Sequence, residues 1–289
     1  MNGLKSAIFR LKPQASDRYF NLEEAQCVLM DILKDFDTFC AENNLQYSLA
    51  YGSLIGAHRE GKIIPWDDDI DLMMRRDEFD KLLTLLNKLN DYNLSAYHYT
   101  FVKHTYTNEI RIYKKGYFRV LEDNGKEFLT PLCVDIFPIN KVFVPETEGD
   151  KEIRQYLLEK LTKYKGLLIL KEAKYNSRSK IRACLRKCKK ILHSFPTSAS
   201  LHKGIEKTLL RLSSPEGEYK LFSPYANDNF DACFEREVFE KYQRVSFGGL
   251  DVSSIADYDL FLSKMYGDWK TPIDSTDGKT NKIKFLERR

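Results

Sequence analysis

The sequence predicts an α/β (α+β) protein, a mixed sheet core with flanking helices and a helical insertion. Three observations carry this. First, Leu22, Val28, Leu29, Ile32, Leu33, Phe36, Phe39 and Cys40 recur at helical spacing within Leu22–Asn43. Second, short apolar or alternating runs follow at 46–50 (QYSLA), 67–74 (DDDIDLMM) and 132–139 (LCVDIFPI), and they interleave with helical stretches. Third, beyond Pro145 the text changes to long lysine-rich helical segments.

The elements follow in order. Asn21 with Glu24 predicts a reciprocally capped start for the helix over 22–43. The run 46–50 reads as a strand that leads through Tyr51, Gly52 and Ser53 into a short helix over 54–59. Ile63 and Ile64 precede a turn at Pro65–Trp66, and 67–74 reads as a strand entered from an acidic loop. A helix is expected over 77–90, two or three strands over 93–120, and a strand over 132–139 ended by Pro138. Helices are expected over 151–174, 178–193 and 201–212, with 213–231 loop-like. A strand over 240–247, the pair Gly248–Gly249, a helix over 257–266 and a polar tail from Lys270 complete the reading. The division that results is a catalytic core with an N-terminal helix in 1–145, a basic helical insertion in 146–215, and a segment returning to the core in 216–289.

Composition excludes several classes. Of 289 residues, 43% are hydrophobic and 30% charged, which supports a sizeable core and excludes disorder as the dominant state. Lysine and arginine total 46 against 42 acids, a net charge of +4. That small excess excludes a histone-like polycation and does not by itself point to nucleic acid, and with no aromatic interleaving or named motif beside the basic stretches, no nucleic-acid partner is expected. No apolar run approaches the roughly 18 residues of a membrane span. Lys5, Arg10 and Lys12 surround a short apolar patch without a cleavage-site pattern, so no secretory signal is expected. The six cysteines show irregular spacing and no CxxC pair. Free thiols in a reducing cytoplasm follow, and a zinc site does not.

The most informative stretch is 52–72, GSLIGAHREGKIIPWDDDIDL. Side chains alternate faces on a strand, so Asp67, Asp69 and Asp71 are expected on one face, with Ile70 and Leu72 directed into the core. Aspartate is disfavoured in strands. Two carboxylates about 4 Å apart repel by roughly 1 kcal/mol in water and roughly 4 kcal/mol at a partly buried site. A divalent cation reverses that penalty, and carboxylate oxygens are ligands that magnesium and manganese prefer. Asp69 and Asp71 are therefore expected to bind Mg2+ (or Mn2+), whereas Asp67 and Asp68 suit a solvated turn equally well. Gly52 and Ser53 lie between a strand and a helix start, where a close backbone approach and free N–H groups suit a phosphate. A third carboxylate, Asp135, lies between Val134 and Ile136. It is expensive in such a strand unless paired, and is expected to complete the metal site or to take a proton from an attacking hydroxyl.

Other residues are weighed against plainer roles. Arg59 follows the phosphate turn and Arg111 lies in an alternating strand, so both are candidate donor contacts beside ordinary surface or packing roles. Trp66 suits stacking on a base or a choline-like cation as well as a packing anchor. The helix over 178–193 combines an apolar stripe with seven positive charges, the pattern of peripheral membrane contact or of a plain solvated helix.

Tyr51–Arg59 (YGSLIGAHR) followed by 65–71 (PWDDDID) closely resembles the LicD signature, a G-[ST]-L-L-G-A-x-R block leading to I-P-W-D-D-D-[IV]-D. Val134–Pro138 resembles that family's next block, and Phe247–Gly249 and Tyr266–Trp269 resemble its C-terminal pattern. The likeness runs from about 45 to about 272 and is thin over 146–230. It implies a nucleotidyltransferase-like fold and a metal-dependent transferase. The reaction implied moves a phosphoalcohol group, phosphocholine above all, from a CDP-alcohol donor to a glycan or glycolipid acceptor such as a surface polysaccharide, teichoic acid or lipopolysaccharide. The fukutin-related enzymes, which transfer ribitol phosphate, share that core. Gly52 and Ser53 fall on the family's phosphate grip, Asp69 and Asp71 on its metal carboxylates, and Asp135 on the third. The alternatives are phosphoethanolamine or a polyol phosphate as the group moved, nucleotidyl transfer with pyrophosphate release, and a glycan-binding module without catalysis. The expected location is cytoplasmic, at the inner face of the cell membrane.

Overall fold

The structure is a computed structural model that describes residues 8–102, 109–123, 125–176, 196–214, 217–221, 234–272 and 283–288. Two long strands organise it. β6 (Ile110–Asp123) and β7 (Lys126–Val142) pair antiparallel, with a register shift between Tyr113 and Phe118. β4 (Ile70–Arg75) lies parallel to β7, and β3 (Ser48–Leu49) pairs antiparallel with β4. A parallel neighbour requires a crossover. Here the chain leaves β4 through α3 (Arg76–Leu85), a 3-10 turn (Leu86–Tyr92), β5 (Ser95–Tyr97) and β6 before reaching β7.

On the far side of β6, β11 (Lys284–Arg288) lies between β6 and β2 (Asp17–Phe20). Among the described residues the sheet has nine strands, with β1 (Phe9–Arg10) and β8 (Glu218–Leu221) also on β7, and β5 on β6. The sheet is mixed and helices flank it, as the patterning predicts.

α1 (Leu22–Glu42) forms for the expected reasons. The Asn21 side chain accepts from the Glu24 amide at 2.9 Å, and the Glu24 carboxylate accepts from the Asn21 amide at 3.1 Å. Leu29, Ile32, Leu33, Phe36 and Phe39 are fully buried along one face and join the sheet's core.

Several boundaries differ from expectation. β4 starts at Ile70, so 67–69 precede the strand; the Asp67 amide closes a turn on the Ile64 carbonyl at 2.9 Å. The adverse strand propensity of aspartate wins there. Asp69 is therefore not on a strand face with Asp71. α2 (Tyr51–Ile55) begins three residues early and runs into a π-helical turn (Gly56–Glu60), which puts Gly52 and Ser53 inside its first turn. A strand, β8, lies within the expected loop 213–231. The expected polar tail contains β11, whose Phe285 and Leu286 are fully buried. Runs this short carry no periodic signal, and pairing with β6 and β2 decides β11.

α4 (Glu148–Asn176) and α5 (Ser198–Leu212) pack on each other around Leu157, Leu161, Leu201 and Ile205. They meet the core through an Arg76–Glu206 ion pair at 3.0 Å and stacked Tyr99 and His202 rings 4.0 Å apart. The basic helix expected over 178–193 lies outside the described residues. Among the described residues no helix is long and apolar enough to cross a membrane.

β9 (Tyr242–Phe247) and β10 (Leu250–Ile255) form a separate hairpin turned by Gly248 and Gly249, with φ of 57° and 85°. Both positive values suit the two-residue turn that glycine favours. The hairpin is tied to β3: the Ser253 hydroxyl donates to the Tyr47 carbonyl at 2.6 Å, and the Ile255 amide to the Ser48 hydroxyl at 2.9 Å. α6 (Tyr258–Tyr266) follows.

Candidate functional site

The sheet register aligns three charged residues. Arg111 on β6 stands opposite Asp135 on β7, and Asp135 stands opposite Asp71 on β4. Directly paired residues share a sheet face. Thus two carboxylates from segments far apart in the chain face the same side on adjacent strands. Their neighbours Ile70, Leu72, Val134 and Ile136 are fully buried on the opposite side, which holds both backbones in place.

The turn before β4 adds three more acids. One oxygen from each of Asp67, Asp68 and Asp69 lies within 4.8 Å of the other two. The start of α2 closes around Asp71. The Asp71 amide donates to Ser53 Oγ at 3.0 Å, and the Asp71 carbonyl accepts from the Ala50 amide at 2.8 Å. Ser53 is buried, so its hydroxyl anchors the acidic strand. Gly52 leaves room for Asp67: a β-carbon there would stand 2.6 Å from Asp67 Oδ2.

The basic candidates are engaged by the protein. Arg111 Nε lies 3.2 Å from Asp135 Oδ1, its Nη2 donates to Glu109 Oε1 at 3.0 Å, and its Nη1 donates to the Tyr97 hydroxyl at 3.3 Å. Arg59 donates to the Trp269 carbonyl at 3.1 Å and to Glu60 at 2.8 and 3.2 Å. Trp66 is exposed, next to the acidic turn.

Three features lay outside the sequence reading. Glu109 is fully buried, and its spacing from Arg111 in EIRI was a usable signal for a shared face. Asp68 is paired with Arg119 at 2.9 Å, which sequence separation concealed. His58 stacks on Tyr258 with ring centres 3.4 Å apart, and its Nε2 lies 2.9 Å from Ser254 Oγ. With Arg59 on Trp269, this fastens the C-terminal segment to the π-helical turn. Burial lowers the His58 imidazole to about 4.

The electrostatics follow from crowding. Burial, with Asp69 alongside, pushes Asp67 up to about 7. Burial raises Asp135 to about 6 against the pull of Arg111. Burial, then Asp69 and Asp135, holds the Asp71 carboxyl well above the usual carboxylate range. Asp68 is also raised by burial, opposed by Arg119. The Tyr266 phenol is raised by burial and by the charges of Asp71 and Asp67, so the end of α6 lies in the field of the cluster. A second observation concerns Glu109: its Oε2 is buried with no hydrogen-bond partner among the described residues. An oxygen-only donor set with this excess of negative charge fits a hard divalent cation.

The fold is a mixed α+β sheet flanked by helices, with the acidic residues gathered where β4 and β7 run side by side. Residues 44–165 match the family model described as LicD/FKTN/FKRP, nucleotidyltransferase domain. The chain is 47% identical over 62 residues to the lipopolysaccharide cholinephosphotransferase LicD of Haemophilus influenzae, covering 22% of this chain and 23% of that protein. It is 36% identical over 75 residues to an uncharacterized protein of Rickettsia typhi, covering 25% of this chain and 24% of the relative. The chain thus matches about a quarter of the length of these curated relatives. Over residues 44–165 the chain is thus similar to the LicD/FKTN/FKRP family.

Proposed function

We propose that the protein is a metal-dependent phosphotransferase that moves a phosphoalcohol group, phosphocholine in the first instance, from a CDP-alcohol to a hydroxyl of a surface glycan or glycolipid. The observation that carries this is the register match of Asp71 with Asp135 beside the acidic turn 67–69. The family match and the named activity of the Haemophilus influenzae relative support the same chemistry. The reaction takes place on the cytoplasmic side.

Asp69, Asp71 and Asp135 would hold Mg2+ or Mn2+, with Asp67 close by. When bound, such an ion neutralises donor phosphate charge and acts as a Lewis acid. The chain's own residues do the rest. Ser53 fixes the backbone of Asp71, and Gly52 lets the Asp67 carboxylate sit against the start of α2. Trp66 offers an exposed aromatic face for the donor's base or its cationic alcohol. Asp135, oriented by Arg111, receives the proton of the acceptor hydroxyl as its oxygen attacks the phosphorus that bears the alcohol. The bond from that phosphorus to the bridging oxygen breaks, and CMP leaves. Alignment and charge stabilisation supply most of the rate.

The test is incubation with a panel of CDP-alcohols, magnesium and a glycan acceptor, scored by CMP release and acceptor mass. CMP release with a phosphocholine mass gain supports the reading. Pyrophosphate release with a retained nucleotide would make it a nucleotidyltransferase. No turnover with any donor would leave a binding module.

Gly52→Ala tests the grip separately. The added methyl must push the Asp67 carboxylate aside, because 2.6 Å is too short for contact. Alanine suits a helix, so the fold should hold. A displacement of about 1 Å can lower turnover about 100-fold. A turnover loss of that order is expected, with melting unchanged; full activity would mean that the position of Asp67 does not matter.

A further inference from the structure

The sequence places Arg111 as a donor contact, yet its guanidinium is committed within the protein. Nη2 donates to Glu109 at 3.0 Å and Nη1 to Tyr97, while Nε faces Asp135 at 3.2 Å as an ion pair without a hydrogen bond. The side chains are 0% exposed for Glu109, 14% for Asp135 and 21% for Arg111. An arginine alone beside Asp135 would cancel the charge that a cation needs and would itself repel the cation. A buried charge is strongly felt where water cannot screen it. Glu109 removes that conflict. It lies just before β6 and two residues from Arg111, so both side chains lie on the face of Asp135 and Asp71. Pairing with Arg111 occupies only one of its oxygens, since Oε2 is buried with no hydrogen-bond partner among the described residues.

We propose that Glu109 is a positioning residue: it neutralises Arg111, so that Arg111 can orient Asp135 without cancelling its charge toward a divalent cation. This rests on the reading of the acidic cluster as a cation site. The consequence is specific. Removing the charge of Glu109 weakens cation binding, whereas removing the charges of Glu109 and Arg111 together restores part of it.

The experiment is titration of the full chain with Mn2+, read as free Mn2+ by electron paramagnetic resonance, with a thermal melt on each sample. Partners that orient metal ligands are worth about 10- to 100-fold in metal affinity. Glu109→Gln is therefore expected to bind Mn2+ about tenfold or more weakly. The charge-preserving Glu109→Asp is expected within about threefold of wild type, and the double variant Glu109→Gln, Arg111→Gln, which also loses the residue that orients Asp135, is expected to bind more tightly than Glu109→Gln and more weakly than wild type. If Glu109→Gln does not fold, the other two variants still decide, because loss of binding in both would show that the shape of this pair matters and its charge does not. Wild-type affinity in Glu109→Gln, with affinity lost in Asp71→Asn, would overturn the role of Glu109 alone. Wild-type affinity in both single variants would remove the cation site itself.

Discussion

Asp71→Asn is expected to abolish transfer and to yield a protein that melts higher than wild type at neutral pH without divalent cations. The Asp71 carboxyl is held well above the usual carboxylate range by burial and by its neighbours Asp69 and Asp135. Ionising it at pH 7 is therefore a strain on the folded state, and asparagine removes that strain while keeping the shape. The contacts that hold this residue are made by its backbone, with Ser53 Oγ and the Ala50 amide, and the substitution leaves them alone. Function goes the other way. Losing one group that stabilises developing charge typically lowers kcat by about 100- to 1,000-fold, and loss of a metal carboxylate should reach at least that range. Turnover with CDP-choline and a melt in EDTA check both halves. An active variant would remove Asp71 from the chemistry, and an inactive variant that melts lower would point to damage in the sheet.

The second large effect is on the wild-type protein. Asp67 and Asp135 have folded values of about 7 and about 6, above the ordinary 3.8. An acid raised by folding contributes stability that is fully present below its unfolded value and is lost as pH rises through its folded value. The cation-free protein should therefore lose stability between about pH 4 and pH 7. Carboxylates lowered by folding, such as Asp17 under Arg288 and Asp268 beside Thr271, act with the opposite sign below about pH 4 and leave this window alone. A divalent cation binds the ionised cluster, so its effect on melting should be large at pH 8 and small at pH 5. At a concentration 100 times Kd the gain is about 2.7 kcal/mol, or roughly 5 °C in Tm. Scanning calorimetry at both pH values, with magnesium or EDTA, measures this. Equal magnesium shifts at pH 5 and pH 8 would contradict the ionisation argument.

How legible this was depended on the kind of signal. α1 was readable to within a residue because its periodic face and its Asn21–Glu24 cap agree. The convergence of Asp71 and Asp135 was readable because each lies in a strand whose other face is strongly apolar, so burial fixes the register. Asp69 was misread because alternation was extended into residues that form a turn. Arg111 was read as a donor contact, and the structure pairs it with Asp135, Glu109 and Tyr97. Such partners depend on which strands become neighbours, and spacing along one strand does not reveal that. β11 was missed for the same reason: five residues gain their structure from two flanking strands.

That last strand has a consequence for how the molecule is assembled. Arg288 is bonded to Asp17 across 271 positions of sequence, and Phe285 stacks on Phe20. Until residues 284–288 are in place, β2 therefore has no sheet neighbour among the described residues, and the edge of β6 over 117–120 stays open. Closure over so long a loop is slow, and an unpaired edge invites other chains. The protein should thus be more prone to aggregation in any state in which β11 has not yet inserted between β6 and β2.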